Sequence, residues 1–142
     1  MEPPVRNPFA LTFAVRREDL DELEHVSNVR VLFWMNRAAV EHSASLGWDL
    51  DRYRREGGVF VVRRHEIDYL ASAKLGDQIV HYTWPSAISR ATAERMHEIR
   101  RVADDKVIAR GMNVWAYVDV ATGRPMRLPP VLLETFDPAK FA

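Results

Sequence analysis

Asp19, Asp21, Glu24 and His25 lie within one short polar stretch and carry side chains able to move protons or bear negative charge. The stretch runs straight into Ser27-Asn28 and then into V-R-V-L-F-W-M-N-R-A-A-V-E, an unusually apolar segment of helical character. A carboxylate can take a proton from water or act as a nucleophile itself. A histidine changes charge near neutral pH. The first N–H groups of a helix have no internal acceptor and sit at the positive end of its macrodipole, so they favour an anion forming there. The junction around Ser27 and Asn28 is therefore where chemistry is expected.

Several other chemistries are disfavoured. The absence of cysteine removes disulfides, thiolate nucleophiles and cysteine-ligated zinc together, and it fits a reducing compartment. No serine sits in a G-x-S-x-G elbow; Ser43 and Ser45 fall in a helical stretch beside His42. Asp21 and His25 lack a third partner at ligand-like spacing, so no metal is expected. Net charge is zero, which argues against a general nucleic-acid binder. Basic residues other than Lys74, Lys106 and Lys140 are all arginine, the side chain suited to gripping phosphate or carboxylate, although plain compositional bias produces the same pattern. The first residues show no signal pattern and no apolar run approaches the roughly 18 residues of a membrane span, so a cytoplasmic domain without membrane contact is expected.

The elements that must hold this junction follow from pattern. Residues 1–8 read as a loose, proline-rich lead-in and residues 9–142 as one domain. Phe9 to Val15 suits a strand. Arg16 to Ser27 reads as an ordered loop with Leu20, Leu23 and Val26 as buried pegs. Val29 to Leu46 is the long helix, capped by Ser27 or Asn28 and stopped by Gly47. Its first turns are apolar in nearly every direction, as in a helix buried all round. Trp48 to Glu56 contains a second short helix, with Asp49 as cap and Gly57-Gly58 as terminator. Four strands follow: Val59 to Leu70, Gln78 to Trp84, Ala91 to Val102 and Lys106 to Val120. Pro85-Ser86 marks a strand end or bulge, and Gly111 a bulge or a close backbone approach. A short tail follows Pro129-Pro130. Consecutive antiparallel strands suggest a meander. Such a sheet can wrap one side of the helix, and a second copy of the chain would cover the other, so a homodimer is expected.

The ordered set of motifs resembles the hotdog-fold acyl-CoA thioesterases of the 4-hydroxybenzoyl-CoA thioesterase type. The loop Asp19-Leu20-Asp21-Glu22-Leu23-Glu24-His25-Val26-Ser27-Asn28 is similar to that family's D-x-D-x-x-G-H-V-N-N. Arg63, Ile67-Asp68-Tyr69, Leu75-Gly76-Asp77, Val118-Asp119, Thr122-Gly123-Arg124 and Leu128-Pro129 extend the likeness from about Phe9 to Phe136. Departures stand at Glu24 for a glycine, Ser27 for an asparagine, Val31 for a tyrosine and Asn36 for a carboxylate. Glu24 bears on loop shape, because glycine suits a positive φ.

The resemblance implies an α+β hotdog fold: a curved five-stranded antiparallel sheet around one long buried helix. It implies hydrolysis of an acyl-CoA or acyl-carrier-protein thioester by a homodimer or homotetramer, with no cofactor. Counted without gaps to Trp34, Asp21 takes the catalytic aspartate position as general base or nucleophile, and the Asn28 N–H becomes the oxyanion donor. Without the resemblance, a loop Asp would more simply satisfy backbone amides. Asp19 reads as solvated or backbone-bonding. His25 could orient water or Asp21, or be satisfied by local backbone. Arg90 and Arg63, with Arg64, are candidates for the phosphates of CoA, and Val31, Trp34 and Met35 for the acyl pocket, with Trp34 better suited to core packing. Two alternatives remain: a hydratase or dehydratase pairing Asp21 with His25, although the spacing and the missing proline fit poorly, and a non-catalytic acyl-thioester binder.

Overall fold

A computed structural model describes residues 2–142. Strand β1 (Phe9–Ala14) leads through the polar loop into helix α1 (Asn28–Ser45). Helix α2 (Leu50–Glu56) and strands β2 (Gly58–Tyr69), β3 (Gln78–Ile88), β4 (Thr92–Arg101) and β5 (Lys106–Asp119) follow, then helix α3 (Pro130–Thr135) and a 3₁₀ turn at Pro138–Lys140. The helix ends form where the chemistry of capping puts them. Ser27 is extended, and its Oγ accepts from the Val29 and Arg30 N–H groups. The Asp49 side chain accepts from Arg52 N–H, and Gly57 at φ 88° closes α2. The tail beyond Pro129 is helical, with Leu132 buried.

The five strands form one antiparallel sheet in the order β1-β3-β4-β5-β2. The curved sheet wraps α1 on one side in the hotdog arrangement. The expected meander holds only for β3-β4-β5. Strand β2 pairs with β5 from Gly58↔Asp119 to Tyr69↔Ala109 and forms the far edge. The reason is the 70–77 connection. It is longer than the two to five residues of a tight hairpin, and its reach of about 26 Å exceeds the roughly 14 Å across three strand spacings. It runs past Ile108 of β5 toward the loop before α1, with the Leu70 and Ala71 N–H groups on Ile108 C=O and the Ala73 C=O accepting from Val26 N–H. The register slips between Pro85 and Ala87, so Pro85 marks a bulge and β3 runs on to Ile88. Gly111 is a close approach: a Cβ there would lie 2.5 Å from Met35 Cε. The lead-in expected to be loose makes hydrogen bonds to the other end of the chain, from Asn7 N–H to Phe141 C=O and from Arg6 to Ala139 C=O.

Helix α1 is not buried all round within one chain. Val31, Trp34, Met35, Ala38 and Ala39 face the sheet, whereas Val29, Phe33 and Val40 are exposed. The sheet is too narrow to enclose a helix, so it covers one face only. Burying Trp34 and Met35 contributes on the order of 2–3 kcal/mol each.

Two apolar clusters lie along α1. One joins Val31, Trp34 and Met35 to Ile79, Ile99 and Ala109; the other gathers Trp48, Tyr53, Tyr117, Leu132 and Phe136. Following β3 or β5 from the first cluster to the second crosses a buried polar layer of His81, Thr83 and Asn113, which Arg95 and His97 of β4 join. Its hydrogen bonds fix their own direction. Asn113 Oδ1 accepts from Trp115 Nε1–H and lies 2.9 Å from His97 Nε2, so His97 donates there. His97 Nδ1 must then accept from His81 Nε2–H, at 2.9 Å. The His97 ring is therefore neutral, while His81 Nδ1 meets no partner among the described residues. Burial holds His81 and His42 down to about 3 and His97 well below the usual histidine value of 6.5.

These groups bind protons in the unfolded chain below pH 6.5 but not in the fold. Their stabilising effect is complete above that pH and is lost as pH falls from 6.5 toward 3, by about 1.4 kcal/mol per pH unit for each histidine. Urea unfolding at pH 7 and pH 5 should show a loss of at least about 2 kcal/mol at the lower pH. A stability unchanged between the two would contradict this account of the layer.

Candidate active site

The loop between β1 and α1 is fastened by Asp19. Residues 17–19 make a single 3₁₀ turn that rotates the Asp19 side chain inward, where it is 2 % exposed. Its Oδ2 accepts from Arg16 N–H at 2.8 Å. Its Oδ1 accepts from Arg30 Nε at 2.9 Å and from the Trp34 indole N–H at 3.3 Å. Its C=O accepts from Ser27 N–H at 2.8 Å. One residue therefore ties both ends of the loop to the first turns of α1. This corrects the expectation that Asp19 is solvated; of the two readings, only backbone bonding holds, and an ion pair is added. Arg30 and Trp34 stand four apart on one helix face, a spacing that could have pointed to a shared acceptor.

The outer part of the loop is a tight turn. Leu20 and Val26 bridge, Asp21 N–H donates to His25 C=O, and Glu24 N–H donates to Asp21 C=O. Leu20 and Val26 pack on the core, but Leu23 is 76 % exposed rather than buried, because the turn places it at the tip. Glu24 adopts φ 59°, the left-handed conformation that glycine takes without strain. The loop shape expected of a glycine is thus present with glutamate in its place.

Asp21 lies exposed on this turn. Its Oδ1 accepts from Leu23 N–H at 2.9 Å and from His25 N–H at 3.3 Å, so the backbone-satisfying reading is realised at one oxygen. Its Oδ2 makes no hydrogen bond among the described residues. The His25 ring makes none either; only the His25 backbone meets Asp21. Asn28 is the first residue of α1. Ser27 Oγ takes the next two N–H groups, those of Val29 and Arg30, which leaves the Asn28 N–H without an acceptor among the described residues. Tyr69, at the end of β2, donates its hydroxyl to Asn28 C=O at 3.1 Å and steadies that peptide. In the sequence Tyr69 stood out only as part of the Ile67-Asp68-Tyr69 motif, with no role at the site.

The remaining candidates are dispersed. Val31 is 4 % exposed and belongs to the core cluster, as do Trp34 and Met35, so none of the three lines an open pocket within one chain. Arg63 is exposed at the register shift of β2, and Arg64 pairs with Glu66. Arg90 is exposed in the turn after Ile88, not in a strand. The loop leaves from the Ala14↔Gln78 end of the sheet and Arg90 sits beyond the other end of β3, so one chain does not bring Arg90 to Asp21. Ser43 Oγ contacts Trp48 C=O and Tyr53 Oη, while His42 Nδ1 accepts from Arg95, so no Ser–His pair forms. Among the described residues no group of three or more His, Asp or Glu is placed to hold a metal ion.

The Asp19 clamp has a measurable consequence. Asp19→Asn leaves Arg30 and the indole facing a neutral amide, and because Arg30 is partly solvated the expected cost is about 1–3 kcal/mol in urea unfolding. A change within about 0.5 kcal/mol, as for an ordinary surface site, would contradict the clamp.

Comparison with known proteins identifies the family. Residues 15–136 match the thioesterase-like superfamily. The chain is 28 % identical over 131 residues to the acyl-CoA thioesterase YbgC of Haemophilus influenzae, covering 92 % of this chain and 95 % of that protein. The 1,4-dihydroxy-2-naphthoyl-CoA thioesterase Slr0204 of Synechocystis superposes with a TM-score of 0.84 at 17 % identity, over 92 % of this chain and 96 % of that one. A DHNA-CoA thioesterase of Staphylococcus aureus superposes with a TM-score of 0.85 at 17 % identity, over 95 % and 92 %. These structures share the fold. With its hotdog sheet, its loop and its helix start matched over most of its length, the chain belongs to the thioesterase-like superfamily.

Proposed function

We propose that the protein is an acyl-CoA thioesterase: the thioester and water give a free acid and the CoA thiol. The observation that carries this reading is the pairing, in one short segment, of an exposed carboxylate with a free oxygen and an unpartnered N–H at a helix start. Asp21 Oδ2 takes a proton from water as it attacks the thioester carbon, or attacks that carbon itself, expelling the CoA thiolate to give a mixed anhydride that water then cleaves to the free acid and the restored carboxylate. The carbonyl oxygen gains negative charge in either case, and the Asn28 N–H with the positive end of α1 stabilises it. The name of the Haemophilus relative supports CoA as the carrier, as does a Staphylococcus aureus structure in complex with CoA at TM-score 0.83 and 14 % identity. Arg63 and Arg90 are the arginines proposed for its phosphates.

A second copy of the chain completes the assembly in this reading. Strand β2 is a sheet edge with Val61, Val62 and Tyr69 exposed, and α1 leaves Val29, Phe33 and Val40 uncovered. An isologous partner satisfies the free edge and covers those side chains. Among the described residues no helix is long and apolar enough to cross a membrane. The hydratase reading needs Asp21 and His25 to act together, and the His25 ring is not bonded to Asp21. The non-catalytic reading drew on Glu24, and Glu24 keeps the turn a glycine would make.

Two variants test the roles separately. Thiol release across acyl-CoAs of different length should fall about 100-fold or more in Asp21→Ala. Undiminished activity would remove Asp21 from the chemistry, and tight acyl-CoA binding without turnover by the unaltered protein would favour the binder. Proline suits the first helical position and an extended residue precedes it, so Asn28→Pro deletes the N–H without breaking the helix. Its kcat should drop about 100- to 1000-fold, while Asn28→Ala, which keeps the N–H, stays near the unaltered protein. Equal activity of the two variants would contradict the oxyanion role.

A further inference from the structure

At the other end of α1 from the loop, an apolar pocket of about 140 Å³ opens between α1, α2 and the sheet. Its walls include Ala39, Trp48, Tyr53, Phe60 and Trp115, and Arg95 lines it as well. A cavity of about this size accommodates a benzene-sized group.

Arg95 is the anomaly. The buried charged side chains among the described residues are Asp19, Glu98, Arg100 and Arg95. Asp19 pairs with Arg30, and Glu98 with Arg100 and Arg110. Arg95, 7 % exposed, makes no ion pair among the described residues. Its contacts are neutral and use one nitrogen: Nη1 donates to His42 Nδ1 at 2.9 Å and to Thr83 Oγ1 at 3.2 Å. His42 is held down to about 3 and Tyr53 pushed up to about 12, so neither supplies or removes charge near neutrality, and Arg95, lowered to about 10, stays charged. Among the described residues the Nε and Nη2 donors meet no acceptor, and Arg95 is one of the residues lining the pocket. Glu94 also lines the pocket but makes no ion pair with Arg95. A buried guanidinium without a counter-ion is costly unless something supplies the missing charge.

We propose that this pocket binds a small hydrophobic acid, an apolar body of about benzene size whose single anionic group docks on Arg95. Planar, bidentate recognition of a carboxylate is what the free edge of a guanidinium provides. The acid has two possible sources: the far end of the acyl group of the thioester, a reading that rests on the thioesterase assignment, or a free acid bound apart from the catalytic loop, which does not. Ala39 lies eleven residues beyond Asn28 on α1, about 16 Å along the axis, so a tail reaching from the loop of the same chain would have to be long.

Trp48 and Trp115 line the pocket, so intrinsic fluorescence can follow binding of phenylacetate against 2-phenylethanol. The acid should bind at least tenfold more tightly, Arg95→Gln should abolish that preference, and Ala93→Leu, which narrows the pocket and leaves Arg95, should weaken both ligands. Equal affinity for acid and alcohol, or a preference that survives in Arg95→Gln, overturns the proposal. If Arg95→Gln does not fold, the acid–alcohol comparison with the unaltered protein and Ala93→Leu still decides it. In a second arm, thiol release is compared for acyl-CoAs ending in a carboxylate or in its methyl ester. An Arg95-dependent preference for the acid identifies the acyl tail as the source. No such preference, with Arg95-dependent phenylacetate binding, identifies a free acid, and that result stands even if no acyl-CoA is hydrolysed.

Discussion

The site depends on one buried carboxylate. Asp19 accepts hydrogen bonds from a loop amide, a guanidinium and an indole, and its carbonyl receives the amide of the helix cap. A carboxylate taken out of water is tolerated only when its oxygens are met in this way. The geometry that meets them leaves little freedom to the residues on either side. Asp21 follows on the turn, and Asn28 begins the helix that Arg30 and Trp34 belong to. The proposed base and the proposed oxyanion donor are thus held by a residue that touches neither reacting atom.

Much of this was legible in the sequence, and the exceptions have physical causes. Ser27, Asp49, Gly47 and Gly57 marked helix ends because capping is local chemistry, and the bounds of α1 moved by only one residue at each end. Counting along the loop against the family pattern singled out Asp21 and Asn28, and the structure puts Asp21 on the exposed turn and Asn28 first in α1. Whether Asp19 pointed in or out could not, since a 3₁₀ turn of three residues decides it. Leu23 looked like a peg by composition, and the turn around Glu24 put it outside. The partner of β2 is a non-local choice. The length of the 70–77 connection was the available hint that β2 and β3 are not neighbours. Arg95 read as one charged residue of a charged strand, because nothing in its neighbourhood along the chain reveals that its face is buried.

Helix α1 links three different environments. Its start presents backbone dipole and a capped turn to the loop, its middle crosses a layer of neutral histidines and Asn113, and its last turns border an apolar pocket with one unpaired cation. The close seat at Gly111 lets Met35 approach the sheet and sets how deeply the helix lies. Its outer face and the free edge of β2 remain apolar and open within one chain, which is why the proposed function includes a second copy.

The most direct test is a crystal structure with a non-hydrolysable acyl-CoA analogue in which a methylene replaces the thioester sulfur. The carbonyl oxygen of the analogue should lie about 2.7–3.1 Å from the Asn28 nitrogen, with the Asp21 carboxylate facing the carbonyl carbon directly or through one water. An analogue bound with its carbonyl away from the start of α1, and with Asp21 facing only solvent, would contradict the account.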